Sequence, residues 1–144
     1  MAHTIYLVED QDLMRSSMRT YLSSEDAFEV IGTADSGEAA VHDLVEADDT
    51  PLPDVVLVDV ALPGMSGIEL VKALRDEHPS LACLILSGHA EESYVEAAHQ
   101  AGAKGYVMKG KPDEYIRAIE ATLNGDGYRS DAVATMWDHA QAAS

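Results

Sequence analysis

Acidic, hydroxyl and amino side chains stand at or just after the ends of short apolar runs in this chain. Glu9 and Asp10 follow the first run, Asp59 the third, Ser87 the fourth and Lys109 the fifth. Three carboxylates held close together repel one another unless a cation neutralises them, and Mg²⁺ suits such oxygen ligands. A lysine and a serine could then bind a phosphoryl group. The set indicates phosphoryl transfer at a magnesium site, with a carboxylate as nucleophile.

Each of these residues also has an ordinary interpretation. A lone aspartate after a strand is usually a turn former or a helix cap, and a lone serine before Gly88 is a turn residue. A lone lysine is most simply a solvated surface group. The joint pattern favours chemistry, because polar groups follow four of the five runs and are rare within them. We therefore interpret these residues as one site.

The five apolar runs alternate with amphipathic stretches, which predicts an α/β fold with a parallel sheet covered by helices on both faces. Right-handed crossovers favour a flavodoxin-like (βα)5 architecture of strand order 2-1-3-4-5, with ligands beyond the carboxyl ends of the strands. The second run contains Glu29 and is less apolar, which suits an edge strand. The predicted strands are Thr4–Val8, Phe28–Ala34, Asp54–Val58, Leu81–Leu86 and Lys104–Val107.

Sequence signals also mark the ends of the intervening helices. A weaker helical pattern runs from Glu91 to Ala101 and has an acidic first turn, which suits the helix macrodipole. The fifth helix, Pro112–Asn124, has proline at its first position and a glycine just past its end. Ser66 and Glu69 form a capping-box pattern. The expected N-caps of the first three helices are Asp12, Ser36 and Ser66.

Length and element pattern predict one domain over residues 1–125 and an extension or linker over residues 126–144, with a short helix around Val133 and Trp137. The chain has 26 acidic and 9 basic residues, a net charge of −17, which disfavours binding to nucleic acid or anionic membranes. Its apolar runs fall far short of the ~20 residues that span a bilayer. With no signal-peptide pattern and the single Cys83, we expect a cytoplasmic protein without membrane association.

The chain resembles the receiver domain of bacterial two-component response regulators. The resemblance covers residues 4–124, and its matching segments stand in the family's order at the family's spacing. The residues after 125 resemble the segment that follows the receiver in regulators with a LuxR-type helix-turn-helix output. The matching receiver segments are Glu9-Asp10, Asp59 with Ala61 to Gly67, Leu86-Ser87, and Ala103 to Lys109.

This resemblance implies a magnesium-dependent role in phosphorelay signalling. Asp59 matches the phosphoacceptor, whose carboxylate attacks a phosphohistidine on a sensor histidine kinase or phosphotransfer protein. Lys109 matches the lysine that pairs with the phosphoryl group. Ser87 and Tyr106 match the switch pair, whose hydroxyl and aromatic ring move after phosphorylation. The implied direct Mg²⁺ ligands are Asp10, Asp59 and the backbone carbonyl of Ala61, with Glu9 acting on the ion through water.

The chain departs from the family pattern near the site. The family's lysine is usually followed by proline through a cis bond, but Gly110 follows Lys109 here. We therefore expect either a strained cis Lys109–Gly110 bond or a relaxed trans loop. Ser87 replaces the commoner threonine and keeps the hydroxyl. Ala61 and His89 stand where residues tune phosphate lifetime: Ala61 opens the path of the attacking water, whereas His89 could obstruct or orient it.

Several alternatives stay open from the sequence. We favour the receiver portion of a longer regulator that controls transcription through a DNA-binding domain, over a stand-alone receiver that acts by protein contacts. Phosphorylation could drive homodimer formation. Met14 and Met18 could meet the kinase on the first helix, or face the core. We expect self-phosphorylation and autodephosphorylation only, because a Mg²⁺-dependent phosphohydrolase using Asp59 would carry a general acid where Ala61 stands. A degenerate receiver that is never phosphorylated is a further alternative.

Overall fold

A parallel sheet flanked by helices forms the protein in the computed structural model, which describes residues 2–47 and 51–143. The strand order is β2-β1-β3-β4-β5-β6. The strands are β1 (His3–Val8), β2 (Phe28–Ala34), β3 (Val55–Asp59), β4 (Ala82–Ser87), β5 (Gly105–Met108) and β6 (Tyr128–Arg129). The helices are α1 (Asp12–Ser23), α2 (Gly37–Val41, continued by a π-helical turn, His42–Glu46), α3 (Gly67–Glu77), α4 (Glu92–Gln100), α5 (Pro112–Leu123) and α6 (Ala134–Ala143).

The predicted flavodoxin-like order of the first five strands is confirmed, and β2 lies at an edge as expected, but the five-strand count is wrong. The sixth strand, β6, pairs in parallel with β5. The N–H of Tyr128 donates to the carbonyl of Lys104, and the N–H of Ser130 donates to that of Tyr106. Two residues are too few to produce a visible alternation, so the sequence pattern could not reveal this strand. Its pairing satisfies backbone groups that an open edge would leave to solvent.

The hydrophobic core lies on both faces of the sheet, because successive strand residues point to opposite sides. Ile5 and Leu7 of β1 pack on the face that α1 and α5 cover. Tyr6 and Val8 pack on the other face, with side chains from α2, α3, α4 and α6. Burial on both faces explains why the central runs are almost continuously apolar. Within the described ranges, no helix combines the length and apolar character needed to cross a membrane.

Two of the three predicted helix caps are confirmed. Ser66 forms the full capping box at the start of α3, and the Ser36 hydroxyl accepts a hydrogen bond at the start of α2. The predicted cap at Asp12 is wrong, because α1 already begins at Asp12, and Gln11 precedes it without a side-chain cap. Asp12 instead lies in the first turn, where the macrodipole favours a carboxylate, and accepts a hydrogen bond from Arg15 at 2.7 Å.

The segment after α5 packs on the sheet and on α4. Gly125, just past the end of α5, has φ +88°, a conformation that suits glycine. Val133 and Trp137 are buried and belong to the core cluster that contains α4. The Trp137 ring meets the His99 ring at 4.9 Å between centroids and 75° between planes. Residues 128–143 therefore share their core with the strands and helices that precede them.

Candidate functional site

Two neighbouring strands carry the acidic residues to one rim of the sheet. β1 ends at Val8 beside Val58 of β3, so Glu9 and Asp10 emerge next to Asp59. One carboxylate oxygen from each of these three residues lies within 4.8 Å of the others. Glu9 and Asp59 are buried, whereas Asp10 is half-buried. The structure therefore brings the three carboxylates into one cluster.

Lys109, directly after β5, connects two members of this cluster. Its Nζ lies 2.8 Å from Oε1 of Glu9 and 2.9 Å from Oδ2 of Asp59. Burial lowers the pKa of the ammonium, but hydrogen bonds and charge attraction from the two carboxylates outweigh burial and raise it overall. Lys109 is therefore cationic at neutral pH. Three carboxyl groups therefore face one ammonium at the site.

The remaining polar contacts orient the carboxylates. Burial, together with a hydrogen bond and repulsion from Glu9, raises the pKa of Asp10, although Lys109 acts in the opposite direction. The N–H of Ala61 donates to Oδ1 of Asp59 at 3.1 Å. Each oxygen of Asp59 thus has one donor. Arg15 donates to the backbone carbonyl of Glu9 at 2.9 Å, which holds the first acidic residue in place.

Ser87 and Tyr106 hold the backbone of one residue between them. Ser87 is buried at the end of β4, and its Oγ accepts a hydrogen bond from the N–H of His89 at 2.9 Å. Tyr106 is fully buried, and its hydroxyl donates to the carbonyl of His89 at 2.6 Å. Burial raises the pKa of Tyr106, so its hydroxyl keeps the proton that it donates. The start of the β4–α4 loop is therefore bound to both of the predicted switch residues.

The Lys109–Gly110 peptide bond lies in the loop between β5 and α5. This bond is trans, and Gly110 has φ +116°. The N–H of Lys109 donates to the Ser87 carbonyl at 2.9 Å. The N–H of Gly110 donates to the Tyr115 hydroxyl at 3.0 Å. The relaxed alternative is therefore the one that forms, with glycine supplying the unusual dihedral angle.

The outer face of α1 lies beside the site. Met18 is buried in the core, so the core-facing interpretation of this residue is confirmed. Leu13 is 81% exposed one residue after the start of α1. An apolar cavity of about 300 Å³ lies between α1 and α5. It is lined by Met14, Ser17, Met18, Tyr21, Gly110, Pro112 and Tyr115.

Sequence reasoning missed two contributors to the site. Arg15 supports Glu9, and its spacing from Asp12 along a helix was a signal that could have suggested a local ion pair. The backbone of His89 binds Ser87 and Tyr106, and no residue type marks such a role for a main-chain group. The Ala61 carbonyl stays a predicted metal ligand.

Sequence comparisons connect this chain to known regulators. The family model of the response regulator receiver domain matches residues 5–120. Transcriptional regulatory protein DegU of Brevibacillus brevis is 35% identical over 125 residues, which cover 86% of this chain and 51% of DegU. Response regulator GacA of Pseudomonas viridiflava is 34% identical over 131 residues, which cover 90% of this chain and 59% of GacA. The chain therefore spans between 51% and 59% of the length of these two relatives.

Solved structures share the architecture. A two-component response regulator of the LuxR family from Aurantimonas sp. SI85-9A1 has a TM-score of 0.87 at 29% identity, and the match covers 99% of both chains. The signal receiver domain of the response regulator NarL from Mycobacterium tuberculosis has a TM-score of 0.77 at 31% identity, covering 86% of this chain and 98% of that domain. The likeness to the first structure extends through β6 and α6.

Proposed function

The chain belongs to the receiver domains of response regulators, and from this membership we propose that Asp59 accepts a phosphoryl group and thereby controls an output. The proposed donor is a phosphohistidine on a sensor histidine kinase or phosphotransfer protein. The observation that carries the proposal is the cluster of Glu9, Asp10 and Asp59 with Lys109 hydrogen-bonded into it. Receiver domains act as signal transducers, and this cluster has the charges that phosphoryl transfer needs.

The proposed transfer uses Asp59 as the nucleophile. A bond forms between a carboxylate oxygen of Asp59 and phosphorus, and the phosphorus–nitrogen bond to the donor histidine breaks. The electron pair of the broken bond stays on the imidazole nitrogen, which leaves neutral when the other ring nitrogen carries a proton. Lys109, 2.9 Å from Oδ2 of Asp59, can pair with the phosphoryl oxygens as they approach. Its raised pKa keeps this charge available at neutral pH.

The acidic residues fit a magnesium ion. Oxygen atoms of carboxylates are the ligands that Mg²⁺ prefers, and three carboxyl groups that face a single ammonium suit a divalent cation. The raised pKa of Asp10 supports the fit, because this carboxylate is disfavoured as an anion until another cation joins the cluster. We propose Glu9, Asp10, Asp59 and the Ala61 carbonyl as the residues that hold it. When bound, the ion would neutralise the carboxylates and the phosphoryl oxygens.

Ser87 and Tyr106 are the proposed switch residues. A phosphoryl group carries between about 1.5 and 2 negative charges at pH 7 and strong hydrogen-bond acceptors, and on Asp59 it replaces the single charge of the carboxylate. A phosphoryl group on Asp59 would accept a hydrogen bond from the Ser87 hydroxyl, and the rotation of Ser87 toward it would pull Oγ away from the N–H of His89. The β4–α4 loop and Tyr106 would then shift to a second packing. Moving such an equilibrium from about 1:99 to about 99:1 requires about 5.5 kcal/mol of differential interaction between the two packings and the phosphoryl group.

The proposed kinase contact is the outer face of α1. Leu13 is exposed there, and the apolar cavity between α1 and α5 lies next to the Gly110 loop. Leu13→Ala is expected to slow phosphoryl transfer from a sensor kinase while leaving the reaction with acetyl phosphate unchanged. Equal slowing of both reactions would argue against this contact, because acetyl phosphate needs no docking surface.

The proposed output is transcription through a DNA-binding domain in a longer protein. DegU is a transcriptional regulatory protein, and this chain covers 51% of its length. A stand-alone receiver that acts by protein contacts is the alternative, and phosphorylation-driven homodimer formation would serve either. Sedimentation velocity with and without beryllofluoride tests dimer formation, and an unchanged monomer would exclude it.

Intact mass spectrometry tests the phosphoacceptor. After incubation with acetyl phosphate and Mg²⁺, the wild type is expected to gain one phosphoryl group and Asp59→Asn none. Asp12→Asn is the matched control, because it removes an exposed carboxylate three residues from Glu9 that is outside the cluster. Labelling of Asp59→Asn to the wild-type level, or no labelling of the wild type, would contradict the proposal.

A further inference from the structure

The backbone around Lys109 is held from two sides. On one side, the N–H of Lys109 donates to the Ser87 carbonyl of β4 at 2.9 Å. On the other side, the N–H of Met108 donates to the Ser130 hydroxyl at 2.9 Å. Ser130 lies directly after β6, in the segment that follows α5. A residue outside the predicted receiver core therefore contacts the residue that precedes the site lysine.

Ser130 is itself fixed by further hydrogen bonds. It is 3% exposed, and its N–H donates to the Tyr106 carbonyl at 3.0 Å. Its hydroxyl donates to Oε1 of Glu114 at 2.7 Å. The Tyr128 hydroxyl donates to Oε2 of the same carboxylate at 2.9 Å. Glu114, in the first turn of α5, thus ties the start of α5 to the segment around β6.

These contacts leave the loop little freedom. Met108, Lys109 and Gly110 each donate their backbone N–H to a defined partner. The side chain of Lys109 reaches from this loop into the acidic cluster, where it contacts Glu9 and Asp59. A shift of the backbone by about 1 Å would lengthen these contacts enough to weaken transition-state stabilisation.

We propose that Ser130 and Glu114 are positioning residues that hold the β5–α5 loop so that the Lys109 ammonium points at Asp59. The inference rests on the proposed function, because the positioned lysine serves the phosphoryl transfer. It also makes the segment 128–130 part of the signalling site. The coupling is reciprocal. A phosphoryl group that draws Lys109 inward stabilises the packing of segment 128–130 against β5 and α5. Displacement of this segment in turn weakens the placement of Lys109.

Two measurements on the full chain test this role. Ser130→Ala is expected to slow phosphorylation by acetyl phosphate with Mg²⁺ by about tenfold, the scale of one hydrogen bond. It is also expected to raise the rate at which acetic anhydride modifies Lys109, read by peptide mass spectrometry. Glu114→Gln should also slow phosphorylation and raise the rate of Lys109 modification, but by smaller factors than Ser130→Ala. Thr122→Ala is the matched control, because it removes a buried α5 hydroxyl that donates to Ala118 within the helix.

A double-mutant cycle separates positioning from general destabilisation. In a Lys109→Ala background, Ser130→Ala is expected to cause no further slowing. Further slowing by the same factor would overturn the inference, as would wild-type rates of both phosphorylation and Lys109 modification in Ser130→Ala. Failure of the wild type to be phosphorylated contradicts the proposed function instead, and the modification of Lys109 still decides whether Ser130 positions it.

Discussion

The hydroxyl of Tyr106 donates a hydrogen bond to the carbonyl oxygen of His89 across 2.6 Å. Tyr106 is fully buried in β5, whereas His89 is the second residue of the β4–α4 loop and is exposed. The bond therefore attaches a surface loop next to the site to a side chain inside the core. The Ser87 hydroxyl accepts a hydrogen bond from the N–H of the same residue, so both side chains hold this loop.

Tyr106→Phe is expected to lower the free energy of unfolding by about 1 kcal/mol, because it removes one hydrogen bond and keeps the buried ring. Urea denaturation measures this change. Tyr94→Phe is the control, because Tyr94 is 39% exposed. This substitution should change the free energy of unfolding by no more than about 0.5 kcal/mol. Equal effects of the two variants would mean that the Tyr106 bond does not stabilise the loop.

Asp10→Asn is expected to raise the melting temperature of the metal-free protein by a few degrees. The pKa of Asp10 is raised in the folded protein, so above the ordinary pKa of 3.8 ionisation costs the native state more than the unfolded state. An amide removes this cost at neutral pH. Differential scanning calorimetry without and with Mg²⁺ measures the change, and the stabilisation of the wild type by Mg²⁺ should be lost in the variant.

Asp12→Asn is the control for this experiment, because the Asp12 side chain is 91% exposed and outside the acidic cluster. It should leave the response to Mg²⁺ unchanged. A lower melting temperature of metal-free Asp10→Asn would contradict the repulsion that we infer between Asp10 and Glu9.

Alkaline pH is expected to destabilise the protein through Cys83. Burial raises the pKa of this thiol from 9.0 to about 12, although the charge of Arg75 acts in the opposite direction. Between these values the unfolded chain loses the proton and the native state keeps it, so stability falls as pH rises, by up to about 1.4 kcal/mol per pH unit. The difference in unfolding free energy between the wild type and Cys83→Ala should therefore shrink above pH 9. A constant difference would show that the thiol ionises equally in both states.

Gly110→Ala is expected to destabilise the protein by about 1 kcal/mol or more, because φ +116° is a conformation that side-chain-bearing residues rarely adopt. Steric space does not explain the glycine, since no atom lies within 4 Å of an added Cβ. Gly88→Ala is the matched control in the neighbouring loop, with equally open space and no positive φ. Denaturant midpoints compare the two, and equal stabilities would disprove a conformational requirement at Gly110.

Much of the fold was predictable, because the signals involved are local. The strands buried on both faces had to be apolar runs, and Ser36 and Ser66 marked helix starts through contacts with residues three positions away. The errors occurred where the local signal was short or ambiguous. Asp12 fits both a cap and a first turn, and β6 has only two residues.

The sequence by itself determined which residues carry charge at the carboxyl ends of the strands, since parallel strands with buried interiors leave only their ends for polar chemistry. The tertiary structure decided how those charges pair. Lys109 bonds Glu9 across 100 positions of sequence, and Met108 bonds Ser130 across 22. Spacing along a chain cannot specify such contacts, because they depend on how the loops and the last strand pack once the sheet has formed.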